Sequence, residues 1–116
     1  MKLPNVEQAE VPEEKITGYL LSTTHRDGKH KAAFFLSFGF KSKVWQQLMR
    51  ALRDHAQQHD IIKEELSPFG VRYVVEGTIS APDGRAPNVR TVWFVDTGQS
   101  TPRFVTAYPL KGDDDD

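Results

Sequence analysis

The 116-residue chain contains no cysteine, and this absence excludes several kinds of site at once. It rules out a thiol nucleophile, a disulfide framework and a zinc site built from cysteine. The chain also lacks the phosphate-binding loop, the dinucleotide-binding glycine pattern, the His-Glu-x-x-His pattern and the Gly-x-Ser-x-Gly elbow. Any catalytic site must therefore be argued from individual residues rather than from a common signature.

Long apolar segments are also missing. No stretch approaches the roughly 20 apolar residues that a membrane helix requires. Met1 and Lys2 are followed by Pro4, Asn5 and Glu7 rather than by the apolar segment of a signal peptide. We therefore expect a cytoplasmic protein without a membrane partner.

Charge is distributed unevenly along the chain. The formal net charge is −1, but the last four residues are all aspartate, whereas residues 22–111 carry thirteen Lys and Arg against eight Asp and Glu. A mildly basic body permits a polyanionic partner without requiring one. Because like charges repel, we predict a disordered acidic tail over residues 112–116 and a single domain over residues 1–111.

Helical signals fill the first half of the chain. Pro12 and the two glutamates after it are typical of a helix start, because acids complement the helix dipole there. Asp27-Gly28 marks a turn in a polar loop. Gly39 is typical of a helix end, and Ser42 is a candidate N-cap. These signals predict helices over about residues 12–21, 30–38 and 42–59.

The pattern changes period near residue 70. Valine, threonine and aromatic residues then recur in three segments, separated by the turn sequences APDGRAP and TGQSTP. Residues 61–68 are interpreted as a connector. Helices before strands predict an α+β fold, with N-terminal helices packed on one face of a three- to four-stranded antiparallel meander sheet. The predicted strands span residues 71–80, 88–96 and 103–110.

A hypothesis about pairing assigns the two faces of this sheet. If Asp96 lies opposite Arg103, one face becomes the core side and collects Val92, Phe94, Val105 and Ala107. The other face would display rings and hydroxyls: Thr91, Trp93, Thr106 and Tyr108. A slip of one residue would exchange the faces.

Basic residues concentrate in the loop before the second predicted helix: His25, Arg26, Lys29, His30 and Lys31. Histidine transfers protons near neutral pH, and lysine stabilises a developing oxyanion. Metal-free RNA cleavage needs that combination: a base for the 2′-hydroxyl, an acid for the 5′-oxygen and a cation for the phosphorane. The same residues are also typical of a solvated basic loop, so the loop alone does not distinguish a catalytic role from a plain surface loop.

Two further groups of residues allow more than one interpretation. His55 and His59 have a spacing that can bind a metal, but nothing completes the set, so we predict neither a metal site nor a cofactor. The strand arginines could pair with Glu76 across the sheet or converge on a phosphate. Trp93 and Tyr108 could pack or could stack on bases.

Two segments together resemble a bacterial domain family of unknown function. They are YLLSTTHRDGKHKAAFF and GVRYVVEGTISAPDGRAPNVRTVWFVDTGQSTPRFVTAYPL. Its members occur as small standalone proteins and at the C-terminal ends of polymorphic toxins. The resemblance covers about residues 3–111. Arg26 stands where the family has a proline, and His30 is not typical of the family, so Lys31 is the residue carried over.

The order of helices followed by a meander is also similar to the fold shared by barnase, EndoU, colicin-type and RelE ribonucleases. EndoU-like enzymes combine a His/His/Lys set with a Thr/Ser-x-Tyr strand, which Thr106-Ala107-Tyr108 matches. This resemblance implies catalytic roles for His25, Lys31 and Tyr108. It implies substrate contacts for Arg90, Thr91, Arg103 and Thr106.

The sequence thus supports two expectations of different kinds. The first is a metal-independent, toxin-like endoribonuclease whose partners are RNA and a cognate antitoxin or immunity protein. The second is a non-catalytic α+β module that binds a protein or a nucleic acid. The His/Lys loop and the Thr-x-Tyr strand favour the enzyme, whereas the modest charge favours the binding module.

Overall fold

The computed structural model describes residues 1–110. In this range the helices come first: α1 (Glu13–Lys15), which continues as a π-helical turn (Ile16–Leu20), α2 (Lys29–Ser37) and α3 (Trp45–Gln58). The strands follow: β1 (Ile61–Ser67), β2 (Gly70–Thr78), β3 (Asn88–Asp96) and β4 (Arg103–Pro109). The acidic tail predicted for residues 112–116 lies outside the described residues.

The strands pair antiparallel in the order β1-β2-β3-β4, which confirms an α+β fold with a meander sheet. β2, β3 and β4 correspond to the three predicted strands. The interpretation of residues 61–68 as a connector is wrong, because residues 61–67 form β1. Six of its seven positions are exposed, so the strand has no alternation of buried and exposed residues for the sequence to reveal.

The helix ends follow the predicted signals in part. Gly39 has a φ of 100°, a left-handed conformation that glycine adopts without strain, and it follows Phe38, the C-cap of α2. Ser42 is not an N-cap, because it begins a short 3₁₀ turn (Ser42–Val44) and the residue before α3 makes no side-chain cap. The apolar stripe of α3 packs this helix against the sheet.

Pairing between β3 and β4 determines which face each side chain occupies. Val92 lies opposite Thr106, but its neighbour Trp93 lies opposite Phe104, so Val105 is an extra residue and forms a β-bulge. The predicted pairing of residues 96 and 103 is wrong, because Arg103 lies opposite Phe94. On the other side of the bulge the register differs from the predicted one by one residue, since Ala107 lies opposite Thr91 rather than Val92.

The shifted register reverses the predicted faces of β3. Trp93 packs edge-on against Phe104 in the core, with ring centroids 5.4 Å apart, and Thr91 is buried on the same side. Val92 and Phe94 point the other way, so their predicted place against the helices is wrong. The physical reason is the period of two in a strand, which makes any odd shift exchange the faces.

The core lies between the helices and one face of the sheet. Its buried members include Ile16, Leu20, Phe35, Phe40, Leu48, Leu52, Tyr73, Val75, Trp93, Phe104 and Ala107. The opposite side, here called the outer face, follows from the strand pairing. It carries Arg72, Val74 and Glu76 of β2, Arg90, Val92 and Phe94 of β3, and Arg103, Thr106 and Tyr108 of β4.

Two histidines of α3 share one backbone carbonyl. His55 Nδ1 and His59 Nε2 lie 3.2 and 2.9 Å from the Thr78 carbonyl oxygen, and both nitrogens donate because a carbonyl only accepts. His55 Nε2 is buried and has no hydrogen-bond partner among the described residues. Burial lowers the pKa of His55 below its ordinary 6.5, and the bond to Thr78 opposes this shift only in part.

We predict that Trp93→Ala destabilises the protein far more than Phe94→Ala, although the two residues are adjacent. Loss of a buried tryptophan should lower the free energy of unfolding by about 3–5 kcal/mol, because it leaves a cavity in the core. Phe94 lies on the outer face, where its neighbours can relax into the space. Urea unfolding of both variants measures the difference, and equal losses would contradict the faces assigned here.

We also predict that stability falls as the pH drops below about 6.5. The unfolded chain protonates His55 more readily than the native protein does, so protons favour unfolding in this range. The His55→Leu variant should lose part of this pH dependence, while His59 still donates to Thr78. Melting temperatures of both proteins at about pH 7.5 and pH 5.5 test this; parallel decreases would show that His55 is not the cause.

Candidate functional site

Tyr19 joins the basic loop to strand β4. Its hydroxyl lies 3.0 Å from Thr106 Oγ1, and its ring meets the His25 imidazole edge-on with centroids 5.0 Å apart. Tyr19 occupies the π-helical turn after α1, which runs beside β4. One half-buried tyrosine therefore brings the histidine of the loop next to the Thr-x-Tyr strand.

Two ammonium groups flank the same ring. Lys15 Nζ and Lys31 Nζ lie 5.6 and 5.5 Å from the centroid of Tyr19. Lys15 also donates to the Val105 carbonyl at 3.1 Å, and Lys31 donates to the Asp27 carbonyl at 3.3 Å. A π face attracts cations, so the ring holds two like charges close to an imidazole and a hydroxyl. The cluster of Lys15, Tyr19, His25, Lys31 and Thr106 is here called the tyrosine cluster.

The position of the loop depends on Gly28. A Cβ at this residue would lie 2.3 Å from the backbone oxygen of Tyr19, much closer than atoms can approach. The absence of a side chain thus lets the turn before α2 pack directly on the backbone of the π-helical turn. This close approach places His25 beside the tyrosine ring.

The His25 ring closes the turn with one of its nitrogens. Nδ1 accepts hydrogen bonds from the backbone amides of Asp27 and Gly28, both at 3.0 Å. An acceptor carries no proton, so the neutral ring has its proton on Nε2. In this arrangement Nε2–H of His25 can donate a hydrogen bond to its surroundings. A proton added to Nδ1 would break both hydrogen bonds of the turn.

A second group of polar residues lies on the outer face around Arg90. Its guanidinium is paired with the Glu76 carboxylate across the strands, and it donates to the Tyr108 hydroxyl at 3.3 Å. The guanidinium carbon also lies 5.7 Å from the Tyr108 ring centroid. These contacts with Tyr108 and Glu76 raise the pKa of Arg90 above its ordinary value.

Arg103 is engaged in a similar way at the other end of β4. Its guanidinium donates to both carboxylate oxygens of Asp96, at 2.8 and 3.2 Å, and lies 5.1 Å from the Phe94 ring centroid. The pair lowers the pKa of Asp96 and raises the pKa of Arg103. Both strand arginines therefore face solvent already paired with a carboxylate.

The structure brings five of the predicted site residues together in two groups and leaves Arg103, which pairs with Asp96, and Thr91 outside them. His25, Lys31 and Thr106 meet in the tyrosine cluster, and Tyr108 follows Thr106 on the same face of β4 with Arg90 beside it. Thr91 lies on the helix-facing side instead. It is buried, and its hydroxyl accepts a 2.9 Å hydrogen bond from Trp93 Nε1.

The sequence did not single out Tyr19 and Lys15 as site residues. Their spacing of four residues places them on one side of a helix, and both lie near the start of the family-like segment. That spacing is ordinary for any amphipathic helix. Only the packing of this helix beside β4 shows that both side chains reach the strand.

Residues 1–110 contain no group of three or more histidine, aspartate or glutamate side chains placed to hold a metal ion. Within the same range, every helix is too short or too polar to cross a membrane.

Comparison with known proteins places the chain in a family. The model of a family described as Domain of unknown function (DUF6883) matches residues 2–111, which is nearly the whole sequence. The chain belongs to this family. Among curated proteins, none matches its sequence.

A solved structure has the same fold as this DUF6883 domain. It comes from a contact-dependent growth inhibition toxin–immunity protein complex of Klebsiella pneumoniae 342. The TM-score is 0.72 at 16% sequence identity, over 92% of this chain and 97% of the other. At this identity the likeness shows a shared fold.

We predict that Tyr19→Phe and Thr106→Val each destabilise the protein by about 0.5–1.5 kcal/mol, because each removes one partner of a part-buried hydrogen bond. The double variant should lose less than the sum of the two, since both changes remove the same interaction. Urea unfolding of the four proteins measures this coupling. Strict additivity would show that the two hydroxyls do not interact.

Proposed function

We propose that this domain is a metal-independent endoribonuclease of toxin type whose active site is the tyrosine cluster. The observation that carries the proposal is the contact of the basic loop with the Thr-x-Tyr strand through Tyr19. This contact gathers an imidazole, two ammonium groups, a phenol and a hydroxyl at one edge of an open sheet. These are the groups that cleavage of a phosphodiester needs in the absence of a metal ion.

The proposed reaction is an internal transfer within the RNA. The 2′-hydroxyl gives its proton to a base and its oxygen attacks the adjacent phosphorus. The bond from phosphorus to the 5′-oxygen then breaks, and the leaving oxygen takes up a proton. The products are a 2′,3′-cyclic phosphate and a 5′-hydroxyl. Negative charge grows on the non-bridging oxygens in the transition state, where Lys15 and Lys31 stabilise it.

His25 is the proposed proton-transfer residue, and its bonds set a condition on that role. The neutral ring can donate from Nε2 to a phosphate oxygen without any change in the turn. To accept a proton, the ring has to release the amides of Asp27 and Gly28. Binding of a phosphate can supply this release, because the freed amides and the ring can then donate to its oxygens.

The outer face supplies the proposed binding surface for the rest of the RNA. Tyr108 adjoins the cluster and offers a ring for base stacking or a hydroxyl for the phosphate. Arg90 and Arg103 provide positive charge, but each has to exchange a carboxylate for a phosphate group. The proposed role of Arg90 is therefore to orient Tyr108, and both arginines attract the RNA rather than hold the reacting phosphate.

The toxin context supports the same proposal. The domain shares its fold with a chain from a growth-inhibition toxin–immunity complex. A nuclease acting on cytoplasmic RNA would harm the cell that makes it. We therefore propose a cognate immunity protein as the second partner, with acidic groups that face the lysines of the cluster.

A non-catalytic binding module is the second candidate function. It is favoured by the bonds of His25 Nδ1 and by the carboxylates that pair with both strand arginines, since all three groups are already satisfied. In this case His25 would serve only to close the turn before α2.

The two candidates predict different results for His25→Ala and His25→Asn. An asparagine oxygen can accept hydrogen bonds from the same backbone amides as Nδ1, so His25→Asn preserves the turn but removes the imidazole. If His25 transfers a proton, both variants should lose about 10²–10⁴-fold in the rate of RNA cleavage in EDTA. If the domain is a non-catalytic module, RNA should stay intact with the wild type and with both variants. Cleavage that survives His25→Asn would show that the ring only closes the turn.

Lysine variants test the electrostatic part of the proposal. Lys31→Met should slow cleavage about 10²-fold, because the methionine keeps the apolar stem but removes the cation near the phosphate. Lys29→Met is the matched control, since Lys29 is exposed on the same helix and makes none of the contacts described above. Equal effects of the two changes would contradict the proposed role of Lys31. Intact RNA after incubation with the wild-type protein would contradict the proposed nuclease activity.

A further inference from the structure

Strand β1 forms an open edge of the sheet. Six of its seven residues are exposed, and Ile62, Leu66 and the hairpin residue Phe69 are 55%, 78% and 77% exposed. Among the described residues, the backbone of β1 bonds outside its hairpin only where the Ile61 amide donates to the Met1 carbonyl, at 2.8 Å. The edge thus combines free hydrogen-bonding groups with apolar side chains.

The opposite edge of the same sheet is closed. The Glu10 amide donates to the Pro102 carbonyl at 3.0 Å, and the Glu10 carbonyl accepts from the Phe104 amide at 2.9 Å. Lys15 binds a further carbonyl of β4. Proteins usually cover or interrupt a sheet edge, because an open one is a template for pairing with another strand. The difference between the two edges points to a partner at β1.

We propose that the partner is a second copy of this chain, paired antiparallel through β1. A two-fold axis perpendicular to the sheet relates two such edges and keeps each face continuous across the junction. Two residues that lie opposite each other therefore both have even sequence numbers or both have odd ones. The axis passes midway between the two copies of one residue, and the sequence of β1 determines which residue this is.

Among the registers centred on Lys63, Glu64 and Glu65, one pairs opposite charges on both sides of the axis. With the axis at Glu64, Lys63 lies opposite Glu65 of the second copy and Glu65 opposite its Lys63. Ile62 then lies beside Leu66, and both side chains are apolar and exposed, but Ile62 is the irregular residue in the pairing of β1 with β2. An axis at Lys63 or Glu65 would instead place an isoleucine or leucine opposite a glutamate and would leave Lys63 without an opposite charge across the junction. The two Lys63–Glu65 pairs of the Glu64 register are of a kind that stabilises neighbouring strands.

Several features oppose the proposed dimer. Lys63 and Glu65 form an ion pair within one chain, and Glu65 also pairs with Arg72, so these side chains have to exchange partners. The two copies of Glu64 lie opposite each other at the axis, where like charges repel. Register also shifts between Ile61 and Lys63 within the β1–β2 pair, so regular pairing spans mainly residues 63–67.

The tyrosine cluster lies at the β4 edge, so dimer formation leaves both sites open. The proposal is thus independent of the nuclease activity.

Variants that reverse the charge of one residue test the register directly. Lys63→Glu places glutamates opposite each other at two positions, and Glu65→Lys places lysines there, so each variant should dimerise at least tenfold more weakly than the wild type. Mixed together, the two variants should pair again, because every lysine then lies opposite a glutamate. Sedimentation equilibrium of the full-length proteins, with circular dichroism as a check of folding, measures both results.

For a third variant we predict a stronger rather than a weaker dimer. Glu64→Thr removes the repulsion at the axis and adds a residue that favours strands, so it should strengthen the dimer severalfold. Monomeric wild type at every concentration would overturn the proposal. Dimers unaffected by Lys63→Glu would overturn it equally, as would folded variants that fail to pair when mixed.

Discussion

The bulge at Val105 is the feature on which the site depends. It shifts the pairing of β3 and β4 so that Trp93 meets Phe104 in the core while Thr106 still faces outward. Without the extra residue, one of these side chains would lie on the wrong face. The large aromatic residues can therefore fill the core while the same two strands keep hydroxyls and arginines on an open surface.

Tyr19 turns this surface into a site. The outer face alone offers arginines that are paired with carboxylates, an arrangement found on many sheets. The hydroxyl of Tyr19 reaches Thr106 and its ring carries the basic loop, so two distant segments of the chain meet at one edge. Gly28 allows the close approach that this meeting requires. The same contact connects stability to the proposed function, because loosening it would separate the imidazole from the strand.

The sequence predicted those parts of the fold that have a local cause. Gly39 ends a helix because of its backbone freedom, and the change of period near residue 70 reflects a sheet with one buried face. β1 was not predicted because an exposed strand has no pattern to show. The bulge could not be predicted either, since nothing local distinguishes Val105 from its neighbours. The candidate site was predicted by residue type alone, so His25, Lys31 and Thr106 could be named, whereas Tyr19 needed the packing of α1 beside β4.

The central claim is that the domain cleaves RNA by internal transfer without a metal ion. The most direct measurement is mass spectrometry of the ends of RNA that has been incubated with the purified protein in EDTA. The account predicts fragments with 2′,3′-cyclic phosphate and 5′-hydroxyl ends, and no cleavage at a site whose nucleotide lacks the 2′-hydroxyl. RNA that remains intact, or fragments with 5′-phosphate ends, would contradict it.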